Sequence, residues 1–86
     1  MFTVSEAVER CTKAAYRSIE EADFVAFTGG DPTTDPGVNA LMDLAGMFAL
    51  TSDSTLTDDE AQARYQKALE IEEKTYRFLD SRQYVS

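Results

Sequence analysis

The stretch DPGVNALMDLAGMFAL, residues 35–50, decides the fold. It opens on aspartate and proline, which suit the N-cap and first position of a helix. The carboxylate can accept from a free N–H of the first turn, and proline has no N–H to leave unpaired. On a wheel of about 100° per residue, Ala40, Met47, Leu44, Phe48, Leu41, Ala45, Val38, Ala49 and Met42 cover an arc of roughly 220°. Asn39, Asp43 and Gly46 form the thin polar seam that remains. A helix needs so wide an apolar arc when it touches two neighbours, so the stretch predicts the middle helix of a three-helix bundle. It is too short to be a membrane span, which takes about 20 apolar residues, and Asp43 interrupts it.

Working outward, FTVSEA at 2–7 and LTDDEA at 56–61 share one form. In each, a threonine can cap the first turn while a glutamate three residues later reaches back to the threonine N–H. Phe2 and Leu56 stand where a hydrophobic staple would lie, opposite Ala7 and Ala61. The first helix should run from Val4 to about Phe27 and stop at Gly29-Gly30, where a left-handed residue costs least. In DPTTDPG, residues 31–37, each proline pushes the aspartate before it out of helical geometry, and TSDST at 51–55 breaks the chain again. The expectation is an all-α, single-domain chain over 1–86. Two long outer helices, 4–27 and 58–82, flank a shorter, strongly apolar middle helix, 36–51.

Periodicity suggests which faces turn inward. In the first helix Val4, Val8, Cys11, Ala15, Ile19, Ala22 and Ala26 share one arc, opposite Glu6, Glu9, Arg10, Lys13, Arg17, Glu20 and Glu21. The apolar arc is expected to form the core face, with Glu6–Arg10 and Glu9–Lys13 as surface pairs. In the third helix Ala61, Tyr65, Ala68, Leu69, Tyr76 and Leu79 make the core stripe, with Glu72 in its middle. A carboxylate there must sit at the bundle's edge or find a partner, such as the hydroxyl of Tyr16, Tyr65 or Tyr76. A second row, Ile71, Phe78 and Val85, repeats every seven residues about 100° away and suggests a further interface.

Composition narrows function by exclusion. Sixteen acidic against eight basic residues, with no histidine, give a formal net charge of −8, which repels phosphate backbones and anionic lipid and favours basic partners. Direct nucleic-acid or membrane binding is therefore not expected. Cys11 is the sole cysteine and no histidine can serve it as a base, so neither an internal disulfide, a thiolate zinc site nor a cysteine nucleophile is expected. The opening MFTVSEAVERC has no basic start or apolar run of a secretory leader. A cytoplasmic setting, or a place in a virion, is the expectation.

Known chemistry finds no purchase. The acidic run DSTLTDDE, residues 53–60, lacks the alternating ligands and mid-loop glycine of an EF-hand, and Gly29-Gly30 is followed by no phosphate-binding lysine. Acyl carrier proteins, another small acidic helical family, carry phosphopantetheine on the serine of an Asp-Ser-Leu motif at a helix start. Here Asp53-Ser54-Thr55 precedes the third helix and lacks the leucine. No cofactor, metal or small-molecule substrate is expected, and the chain reads as a non-enzyme.

The expected function is a non-catalytic interaction or structural assembly module, self-associating into a homo-oligomer or docking on a larger protein partner. Its candidate interface is Met42, Met47, Phe48, Ile71, Phe78 and Val85. The alternative is an acidic inhibitor or decoy, such as a viral accessory protein encoded by a phage, that blocks a basic nucleic-acid-binding surface on another protein. Glu20, Glu21, Asp23, Glu70 and Glu73 would form its contact face.

Overall fold

The computed structural model describes residues 3–83 and consists of α1 (Val4–Phe27), α2 (Pro36–Leu50) and α3 (Asp58–Gln83). The punctuation acts where local chemistry places it. Thr57 and Glu60 form the complete capping box: Thr57 Oγ1 accepts from the Glu60 N–H at 3.2 Å, and Glu60 accepts from the Thr57 N–H at 3.0 Å. Thr3 likewise caps α1 through the Glu6 N–H, and Asp35 caps α2 through the Val38 N–H. At the end of α1 the Gly30 and Gly29 N–H groups bond back to the Val25 and Ala26 carbonyls, with Gly29 at φ +90°. That pair of bonds is the Schellman closure, and only glycine adopts this backbone without strain.

The helices run up, down and up. Val4 of α1, Thr51 after α2 and Ala61 of α3 gather at one end. Glu21, Asp35 and Arg82, again one from each segment, gather at the other. Both connectors use the same device, in which an aspartate accepts from the N–H and hydroxyl of the threonine two residues on. Asp31 does this with Thr33, and Asp53 with Thr55.

Two of the three helix seams are apolar. Leu44 and Phe48 of α2 pack with Ala7 and Ala14 of α1 on one side and with Tyr65 and Ala68 of α3 on the other. The Phe48 and Tyr65 rings meet edge to face at 5.8 Å. The α1–α3 seam is different, because these backbones approach each other far less closely than either approaches α2. Long side chains bridge it: Arg10 pairs with Glu72, and the cationic groups of Lys13 and Arg17 lie 5.7 and 5.9 Å from the Tyr76 ring centre. The middle helix is thus the apolar wedge of the bundle, which accounts for most of its wide arc.

The core stripe of α3 is as expected: Tyr65, Ala68 and Leu79 are buried, and Leu69 and Tyr76 pack at its margin. That of α1 is not. Its buried residues are Ala7, Ala14, Ser18, Glu21 and Val25, while Val4, Val8, Ala15, Ile19 and Ala26 are exposed. The helix is turned by about 90° from the orientation its apolar arc suggests. Two features impose this. Leu41, Leu44 and Phe48 already fill the core and leave room only for small residues opposite. The turn also aims Arg10, Arg17 and Glu21 at charged and aromatic partners on α3.

Candidate docking surface

The tightest polar arrangement lies where the three segments meet at the Glu21 end. Arg82 Nη1 donates to both carboxylate oxygens of Asp35 at 2.9 Å, and its Nη2 donates to Glu21 Oε2 at 2.9 Å. Glu21, with a side chain only 3% exposed, also accepts from Arg17 Nε at 3.1 Å. The Phe78 ring lies 5.4 Å under the Arg82 guanidinium. Burial works against the charge of Arg82, but its bonds to Asp35 and Glu21 outweigh that and raise its pKa. Burial likewise opposes the charge of Asp35, yet the Val38 N–H and the Arg82 fork hold its carboxyl below the ordinary aspartate value. Gly37 makes room for the clasp, since a Cβ there would meet Arg82 Nη2 at 2.6 Å and Leu79 Cδ2 at 2.9 Å. Each member is held by another, so the arrangement fastens the three segments together.

The sequence-derived candidates scatter over this frame. Phe48 is fully buried and belongs to the core rather than to an interface. Met47 is half-buried beside Leu50, Arg64 and Lys67, and Ile71 is half-buried against the core. Phe78 is 44% exposed but stacks on Arg82, and Val85 lies outside the described residues. Of the five described, Met42, 59% exposed, and Phe78 stand on the surface. The five candidate acids do not make one face either. Glu21 is locked in the clasp, Glu20 and Asp23 lie exposed on α1, and Glu70 and Glu73 lie exposed on α3 beside their partners Lys67 and Arg77. Glu72 is held by Arg10 and not by a tyrosine hydroxyl.

What sequence reasoning missed is the surface created by the turn of α1. Val8 is 52% and Ile19 57% exposed, on one face with Ala15 and Ala26. Val4, Ala15 and Ala26 recur at an eleven-residue interval, which keeps a stripe nearly straight along an α-helix. Cys11 and Ala22, half-buried, carry the stripe toward α2, and Ala22 lines one shallow recess with Val38 and Met42. The result is an apolar strip along the α1–α2 pair, on the side away from the seams that α3 makes. The periodic signal for it was present; nothing local says whether such an arc faces in or out.

Charge sharpens the picture. All eight basic residues lie elsewhere: Arg64, Lys67, Lys74, Arg77 and Arg82 are on α3, and α1's Arg10, Lys13 and Arg17 each contact α3. Helix α2 has none. Asp23 is exposed next to the strip on α1, while Glu9 shares a depression with Glu6, Arg10 and Lys13, and Asp43 of α2 lies on the side of Met47 and Leu50. Among the described residues no three carboxylate, thiol or imidazole side chains converge as metal ligands, and no helix is long and apolar enough to cross a membrane. No family model matches this sequence, and the curated proteins and solved structures yield no match to it.

Proposed function

We propose that this chain is a non-catalytic protein–protein interaction module whose docking surface is the α1–α2 strip centred on Val8, Ala15, Ile19 and Met42. One observation carries the reading. The valines and isoleucine of the apolar arc of α1 point outward, while its buried positions are alanines, a serine and a glutamate in all but one case. Each outward Val or Ile forgoes about 1 kcal/mol or more of burial that an inward turn would supply. Such a strip on a chain of this charge is surface suited to a partner.

The decoy reading has less support from the geometry. Its acids are divided between two helices, and two of them sit within ion pairs on α3. A photo-crosslinking residue placed at Ile19 or Met42, and separately at Glu70 or Glu73, distinguishes the two readings in the cells that make the protein. Adducts from positions 19 and 42 alone support the docking strip; adducts from 70 and 73 alone refute it in favour of the acidic face.

A further inference from the structure

The open seam between α1 and α3 holds a recess of about 340 Å³ lined by Lys13, Tyr16, Arg17, Glu20 and Tyr76. We infer that this recess binds a small aromatic carboxylate, an anion of single charge carried on a flat ring. The site lies on a different seam from the docking strip and stands or falls independently of it.

Its size is set by the ion pairs that cross the seam. Arg10 meets Glu72 one turn before Lys13, and Glu21 meets Arg82 one turn beyond Arg17. The two crossings are eleven residues apart on α1, about 16 Å. A one- or two-ring molecule fits between them, whereas a helix or strand of a partner does not. The volume sits at the lower end of the roughly 300–1,000 Å³ of small-molecule sites.

The donors in the recess point to an oxyanion. Among the described residues Arg10, Arg17, Lys67, Arg77 and Arg82 each meet a carboxylate, and Lys13 meets none. Its ammonium lies over the Tyr76 ring, 5.7 Å from the centre. Arg17 spends its Nε and Nη2 on Glu21 at 3.1 and 3.0 Å, which leaves Nη1 to donate. The Tyr76 hydroxyl is buried with no partner among the described residues. Burial raises its pKa and Glu72 adds to the shift, so the phenol stays a donor at neutral pH. A carboxylate that draws the exposed Lys13 off the ring reaches that hydroxyl and supplies the bond it lacks.

The charge count and the walls select the rest. Glu21 already answers Arg17 in part, and Glu20 stands exposed in the lining, so the surplus is about one positive charge, enough for a carboxylate but not a phosphate dianion. The Tyr16 ring, 65% exposed, offers a face for an aromatic ring to stack on, and Glu20 can accept from a ring N–H.

The test titrates the isotope-labelled full chain with indole-3-carboxylate and follows amide shifts by NMR, with indole, acetate and adenosine monophosphate as comparisons. A Kd below about 1 mM is expected, with shifts gathered on residues around Lys13, Arg17 and Tyr76. Indole and acetate, which each lack half of the ligand, should bind at least about tenfold more weakly. Lys13→Gln should weaken the carboxylate about tenfold, and Tyr76→Phe several-fold at an unchanged or higher melting temperature. Lys67→Gln removes the same charge outside the recess and should change nothing. A Kd above about 10 mM, or shifts scattered over the chain, would overturn the inference as adventitious binding only. Equal binding of indole would overturn the anion, and tighter binding of adenosine monophosphate would overturn the single charge. Equal losses in Lys13→Gln and Lys67→Gln, or unchanged affinity in both Lys13→Gln and Tyr76→Phe, would take the ligand out of this recess.

Discussion

Removing the Arg82 guanidinium should unfasten the bundle at one end. Breaking a buried ion pair by deleting one partner costs about 3–5 kcal/mol when the other charge is left bare. Here the loss is smaller, because neither acid is left bare. Glu21 keeps Arg17 at 3.0 Å, and Asp35 keeps the Val38 N–H at 3.0 Å. Arg82 is itself 24% exposed, so part of its attraction is already screened. Arg82→Ala should therefore cost about 2 kcal/mol, including the contact with Phe78, and lower the melting temperature by roughly 10 °C in a domain of this size. Urea unfolding followed by circular dichroism measures it. A double-mutant cycle with Glu21→Ala isolates the pair, for which a coupling of about 1–2 kcal/mol is expected. Gly37→Ala should resemble Arg82→Ala in sign, since its methyl group would displace the same guanidinium. A loss below about 0.5 kcal/mol in Arg82→Ala, or a coupling of zero, would refute the clasp as the tie between the three segments.

Three further expectations follow from particular positions. Gly46 sits mid-helix with nothing within 4 Å of where a Cβ would stand, so Gly46→Ala should raise stability by about 0.5–1 kcal/mol, and a measured loss would contradict the open surface there. Among the described residues the Tyr76 hydroxyl is enclosed without a partner while its ring serves Lys13 and Arg17, so Tyr76→Phe should leave stability unchanged or raise it by up to about 1 kcal/mol. Stability should be flat in the neutral range and fall on both sides. The carboxyl of Asp35 is held below its unfolded value, so its contribution is present above about pH 4 and lost as acid protonates it; burial, aided by Glu72, raises the Tyr76 pKa, so stability declines as the unfolded chain ionises above about pH 10. Denaturant midpoints across that range check both signs.

The helix boundaries were legible because each is written in a few adjacent residues. Thr57 with Glu60, Asp35 with Pro36, and Gly29 with Gly30 do locally what their chemistry requires, and the α3 stripe reads correctly around Tyr65, Ala68 and Leu79. The orientation of α1 was not legible from its own pattern, since it is decided across the chain. Glu21 and Arg82 lie 61 residues apart, and Arg10 and Glu72 are separated by 62. A wheel that sorts residues by polarity places Glu21 outside, and only the partners on α3 bring it in. One signal was available: Leu41, Leu44 and Phe48 are large enough to demand small neighbours, and Ala7 and Ala14, seven apart, supply them.

The same long-range logic hid the docking strip, because a row of Val and Ile ordinarily marks a core. The outward turn of α1 is the claim on which the proposed function stands, and adjacent residues test it. In a Cys11→Ser background, single cysteines at Ala7, Val8, Ser18 and Ile19 are labelled with a thiol reagent under native conditions. Cysteines at 8 and 19 should react at the rate of an exposed thiol and those at 7 and 18 at least about a hundredfold more slowly, in line with the cost of opening a packed site. The opposite order, with 8 and 19 protected and 7 and 18 reactive, would turn the stripe inward and contradict the account.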